Sequence, residues 1–359
     1  GIARPLVQAW GADMENMAVD VGPSPKSMAD GMYFVASAMG VAAASANGGK
    51  QALDNLRAAS QGVSIGLGNI EVLTKAAAGA QNAYIKSNLG FAEALGIMLA
   101  AGREGLASID ALGPAFGRVT ALAAPLGISF SDVAASIASV TSKNYSADQA
   151  STALNSLLTV LTKGTKPTIE GLKAVGVNYH DLMKQIAQGD FKGALNKLND
   201  AFKGNVEKIA KAFPNARALR EFLSLMGDQA DHTNKVFNEL AKSGVKTLSE
   251  AWAIASQTAQ VQFGQAMAAV QSSLISLGNI ILPVILPMFK SLSGSLLNAS
   301  LAFTNLSPEM KNTIVLGGLM LLGLRPIAYT LGGIMFSIGL LLSPIGLLIV
   351  AFIDFKRKH

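Results

Sequence analysis

The sequence predicts an all-α protein: glycine-punctuated helix hairpins, then long low-charge helices, then an apolar C-terminal helical segment. Three observations predict it. Apolar residues recur at i, i+3, i+4 and i+7 with no series of alternating strands; capping patterns precede these stripes; and glycine, 36 of 359 residues, falls between them. The apolar share is 50% but aromatics supply only 6%, so small aliphatic side chains must build the core, which suits thin helix-on-helix packing. Charged residues make up 14%, against about 25% in ordinary soluble domains, a composition that disfavours disorder. With no cysteine, a disulfide framework, thiolate metal sites and thiol nucleophiles are excluded.

The elements fall into four segments. Residues 1–26 are an N-terminal segment that opens on Gly1 rather than Met and lacks the charged-then-apolar order of a signal peptide, so the chain reads as processed or partial. Residues 27–250 form a helical core module. Within it Ser129 and Asp132 stand at the ends of an S-x-x-D capping pattern, followed by Val133, Ile137 and Val140 on one helical face. Ser146 and Gln149 frame a capping box, and behind it Ala150, Ala153, Leu154, Leu157, Leu158 and Leu161 make an apolar stripe, so residues 129–161 read as a helix hairpin. Gly62-Val-Ser-Ile65 parallels Gly127-Ile-Ser-Phe130 and Ala94-Leu95 parallels Ala153-Leu154, which suggests a weaker upstream copy; two units are fewer than the three or so that define a solenoid. Pro167 suits the first turn of a short helix carrying Leu172 and Val175, and Gly176 its stop. Asn178 can start the next helix, and Leu195 and Leu198 mark another before Pro214.

Residues 251–312 change character. Between Ala251 and Met310 the formal charges are Lys290 and Glu309, while Gln257, Gln260, Gln262, Gln265 and Gln271 recur along one long helix expected to end near Pro283 or Pro287. A helix so poor in charge is expected to pack on copies of itself or on a partner. Residues 313–359 are a hydrophobic, membrane-seeking segment with a basic end, and positions 327–353 carry no charge over 27 residues, long enough to cross a bilayer or to be buried inside a protein assembly. Its membrane-inserting candidates are Ile327, Leu331, Ile334, Phe336, Leu340, Leu347, Ile349 and Phe352.

Charge and chemistry narrow the function by exclusion. The net charge of +6 is dispersed: residues 1–160 hold nine Lys/Arg against eleven Asp/Glu, and residues 161–250 fourteen against ten. No basic stripe with interleaved aromatics tracks a nucleic acid, and Lys356, Arg357 and Lys358 read as a solvated or headgroup-facing flank. His180, His232 and His359 lie too far apart, with no carboxylate clusters beside them, to form a zinc site. The stretch from Ala44 to Lys50 lacks the first glycine and the Ser/Thr of a phosphate loop, and Gly66-Leu-Gly68 is followed by Glu71 rather than the glycine of a dinucleotide fingerprint. No catalytic residue, metal ligand or cofactor is expected.

The order of these features resembles the phage tail tape measure family. Ser27-Met-Ala-Asp-Gly-Met-Tyr-Phe-Val-Ala-Ser-Ala38 is similar to its opening "ALYFIASAG" helix, and the stretch from Leu122 to Ile137 to its "A-x-x-L-G-V-S-F-E-D-A-A-A-A-I" segment. Asp148-Gln-Ala-Ser-Thr-Ala-Leu154 resembles the "A-G-T-A-L" helix, with Ser151 where the family usually has glycine. Leu172-Lys-Ala-Val-Gly-Val177, the stretch from Leu274 to Leu286, and Leu342-Ser-Pro-Ile-Gly-Leu347 follow in the family's order. The family's long coiled rod is absent, which fits a partial chain.

The resemblance implies a structural protein that sets tail length and is ejected at infection to help the genome through the host envelope by its apolar C-terminal segment. It implies as partners copies of itself in a bundle, the tail tube protein, tail tip or baseplate hub proteins, tail assembly chaperones and the host inner membrane, with genome DNA passing without specific binding. The implied location is the tail lumen of the virion and then the host cell membrane. The alternative is a membrane-associated or pore-forming helical protein, toxin-like and unrelated to tail length.

Overall fold

Side-chain caps set where most helices begin, and left-handed residues set where several of them end. The computed structural model describes residues 4–40, 46–305 and 307–310, and among these it holds sixteen α-helices and no strand. The chain divides into two units, Gly1–Ser272 and Ser273–His359.

The first unit opens with α1 (Arg4–Val21), α2 (Pro25–Met39) and α3 (Ala46–Ser64). Ser24 starts α2 by accepting from the Ser27 N–H at 3.1 Å, and Pro25 occupies the first turn, where no intrahelical N–H is needed. Next come α4 (Ile70–Ala83), α5 (Phe91–Gly105), α6 (Ile109–Ala123), α7 (Phe130–Thr141) and α8 (Ala147–Lys163). Through this run each helix packs extensively on the helix two places along: α2 on α4, α4 on α6 and α6 on α8 in one layer, α3 on α5 and α5 on α7 in the other.

The chain then folds back over this two-layer array. After α8 four short helices, α9 (Lys166–Lys173), α10 (Tyr179–Ala187), α11 (Phe191–Phe202) and α12 (Val206–Ala212), make a small cluster in which α9 meets α12 and α10 meets α11. The return helices α13 (Ala216–Leu225), α14 (Ala230–Ala241) and α15 (Val245–Ala255) lie on α8, on α7, and on α5 with α3, respectively.

Packing follows from the apolar stripes. Ala150, Leu154, Leu157, Leu158 and Leu161 of α8 are all buried, at roughly 1.5–3 kcal/mol for each leucine removed from water. Two aromatic clusters add directed contacts. The Phe116 and Phe130 rings sit edge-to-face with centroids 5.4 Å apart, and Phe213 stacks on Phe222 at 5.0 Å with Phe202 beside them. Elsewhere the absence of a side chain sets the spacing: a Cβ on Gly96 of α5 would overlap the carbonyl oxygen of Gly244, which precedes α15.

The helix ends recur in form. Gly66, Gly127, Gly176 and Gly189 have φ of +80°, +82°, +79° and +87°, and the residue after each returns its N–H five residues back, as in Ile128 N–H to Ala123 C=O and Val177 N–H to Leu172 C=O. At Gly127 an added Cβ would also strike the backbone of Ala187.

Three sequence expectations change. The parallel between Gly62–Ile65 and Gly127–Phe130 fails, because Gly62 lies inside α3 and accepts from the Leu67 N–H; the residue that does what Gly127 does is Gly66. An extra helix, α12, precedes Pro214, and Asn205 caps it by accepting from the Lys208 N–H at 3.0 Å. The long low-charge helix, α16 (Ala259–Thr304), passes through Pro283 and Pro287 instead of ending there. Each proline removes one intrahelical N–H, and the helix continues on both sides of that loss.

Candidate interaction surface

The side chains that stand out for interaction lie on α16. Thr258 starts it, its hydroxyl accepting from the Val261 N–H at 3.4 Å.

In the first unit, the opening turns of α16 rest on the end of α1. A Cβ on Gly264 would lie 3.2 Å from the Gly22 carbonyl oxygen, and one on Gly22 (φ +103°) would lie 3.5 Å from that of Val261, so two glycines let the backbones meet. The Gln265 side-chain amide donates to the Asp20 carbonyl at 2.5 Å, satisfying an acceptor that the end of α1 leaves free, and Ser272 donates to the Glu15 carbonyl at 3.5 Å. Val261 and Ala268 are buried there, while Phe263 is 69% exposed and Met267 and Val270 are exposed with it.

Further along α16, Ile275, Leu277, Ile280, Ile281, Leu282 and Leu286 are exposed. The stretch Ala259–Pro283 is long and apolar enough to cross a membrane, by length and composition, and almost none of it is buried. Large exposed apolar patches mark protein or membrane contact sites.

The other sequence-derived residues are structural where they are described. Ser129 accepts from the Asp132 N–H at 3.0 Å at the start of α7; burial pushes the Asp132 carboxyl up, against the pull of its Ser129 hydrogen bonds. Ser146 and Gln149 exchange hydrogen bonds of 3.1 Å at the start of α8, and Asp148 pairs with Arg118 of α6. His180 is exposed, and the exposed His232 lies 3.1 Å from the Ser142 hydroxyl. Among the described residues no group of three or more His, Asp or Glu side chains could hold a metal ion. Lys50 and the glycines before it lie within α3, not in a phosphate-cradling loop. Ile327, Leu331, Ile334, Phe336, Leu340, Leu347, Ile349 and Phe352 lie outside the described residues, as does His359.

A family model described as phage-related minor tail protein matches residues 8–213, more than half of the chain. The chain belongs to the phage-related minor tail protein family. This minor tail protein therefore has a structural role in a phage tail, as a component of the virion. The match runs from within α1 to just past α12, so α13–α16 lie beyond it. No curated protein and no solved structure matched the chain.

Two features of this minor tail protein carry little local signal in its sequence. The glycine contact between Gly22 and Gly264 joins residues 242 positions apart, and its local signal is the small residues Gly264 and Ala268, one turn apart. The buried carboxyl of Glu221 sits in a run with Arg217 and Arg220 that reads as solvated.

Proposed function

We propose that this minor tail protein is the tape measure of a long-tailed phage. The observation that carries the reading is a 46-residue helix of very low charge that comes after the family-matched module, with Phe263, Leu277, Ile280 and Ile281 among its exposed apolar side chains. Such a helix adds length in proportion to residues and leaves apolar surface for something else to cover. In this reading several copies form a bundle, tail tube protein polymerises around it until it is covered, and hub proteins and assembly chaperones flank it. At infection the bundle is ejected, and its apolar segments, residues 313–353 above all, enter the host inner membrane while DNA passes without specific binding.

In-frame deletions in the gene outside the compact helices test the ruler: tails should shorten by about 150 Å per 100 residues removed. Unchanged length in assembled tails rejects it. The exposed Ala259–Pro283 stretch favours one other reading, a membrane-associated or pore-forming protein unrelated to tail length. Liposome leakage caused by the protein, together with unchanged tail length in the deletions, would select that one.

A further inference from the structure

Among the described residues, Glu221 is the carboxyl most withdrawn from water: it is 1% exposed, and its Oε1 has no hydrogen-bond partner. It sits in α13 with Ala218, Phe222 and Leu225, the buried residues of a helix packed on α8 and α7. Nothing charged faces it from the body of α8, because residues 150–162 hold no ionisable side chain, and none lies in α7 between Val133 and Thr141. The turn after α13 brings Asp228, and the loop between α7 and α8 brings Lys143 and Tyr145. The charges that pull on Glu221 are Lys143 and Arg220, and burial outweighs both. Lys143 is committed elsewhere: its ammonium donates to the carbonyl of Ser224, about one turn beyond Glu221 on the same helix. Beside them Lys143, Tyr145, Arg220 and Ser224 line an open cleft of about 410 Å³.

We propose that Glu221 is a proton-operated latch. With its proton it seats α13 on α7 and α8 while Lys143 holds Ser224; without it, the buried carboxylate drives α13 off the array towards water, an opening that the charge of Lys143 limits. The arrangement has two states because a carboxyl so deeply buried and without a partner is tolerated in the seated helix only with its proton. Loosening α13 would bare the apolar face of α8 and free the return helices just past the end of the family match.

The direction with pH follows from burial. Glu221 is held well above its ordinary value of 4.5, so the seated state keeps a proton that the opened state gives up. The stabilisation is whole below 4.5, declines as pH rises, and stops declining once pH passes the seated-state value.

Hydrogen–deuterium exchange of the full chain across pH, corrected for intrinsic exchange, tests the latch in the amides of Ala216–Leu225. Protection should fall about tenfold per pH unit above the ordinary carboxyl value in the wild type. It should stay level in Glu221→Gln. Lys143→Met removes a charge that favours the carboxylate, so the decline should extend to higher pH. A parallel decline in wild type and Glu221→Gln, or a flat wild type, overturns the latch, and an unchanged window in Lys143→Met overturns the part given to Lys143. Where Glu221→Gln does not fold, infrared spectra of the wild-type full chain should show a buried protonated carboxyl disappearing over the same window; its absence overturns the proposal.

Discussion

Helices α8 and α16 are both rich in apolar residues and meet opposite ends. In α8 the apolar residues keep to one stripe, buried but for the half-buried Val160, and the helix begins in a capping box and ends at Gly164 in the left-handed region. In α16 they point to several sides: Val261 and Ala268 are buried, while Phe263, Met267 and Val270 on the neighbouring positions are exposed, as are Leu277, Ile280 and Ile281 further on. Apolar content therefore does not decide burial; its angular distribution does. A stripe can be covered by one neighbouring layer, whereas a helix apolar on several sides needs a surrounding, and in the first unit α16 is covered on the side of Val261 and Ala268 while Phe263, Met267 and Val270 stay exposed.

Three substitutions probe that contrast. Phe222→Ala, which opens the Phe202–Phe213–Phe222 cluster, should cost about 3–5 kcal/mol in chemical unfolding followed by helical signal. Ser146→Ala removes one half of the capping box of α8 and should cost about 1 kcal/mol in the same measurement. Phe263→Ser on α16 should change stability by no more than about 0.5 kcal/mol, while reducing co-flotation of the protein with liposomes. If Phe263→Ser destabilised the fold as much as Phe222→Ala, the exposed face of α16 would be covered in solution and the contrast with α8 would collapse.

Local chemistry was readable from the chain alone. The roles of Ser146 and Gln149 need only residues three apart, and the buried stripe of α8 needs only its own periodicity. The turn glycine Gly176 was readable for the same reason, since a left-handed residue at a helix end asks for glycine whatever lies around it. Pairings were not readable. That α6 packs on α8 rather than chiefly on α7, or that α15 returns to α5, depends on which stripes match in three dimensions. Glu221 was invisible as a buried carboxyl because its neighbours in sequence, Arg217 and Arg220, signal water, and only the seating of α13 on α8 and α7 takes it out of solvent.

The helical class, the caps and glycine stops, the low charge after residue 250 and the resemblance that the family match supports at the level of a phage tail protein all follow from the amino-acid order. Each of these rests on residues within a few turns of one another or on the linear order of short motifs. Tertiary structure alone decided the two-layer array, the glycine contact that seats the start of α16 on α1, and the environment of Glu221. The physical reason is that burial and backbone approach are set by what arrives from elsewhere in the chain. A glycine at 22 has meaning only once a glycine at 264 lies against it.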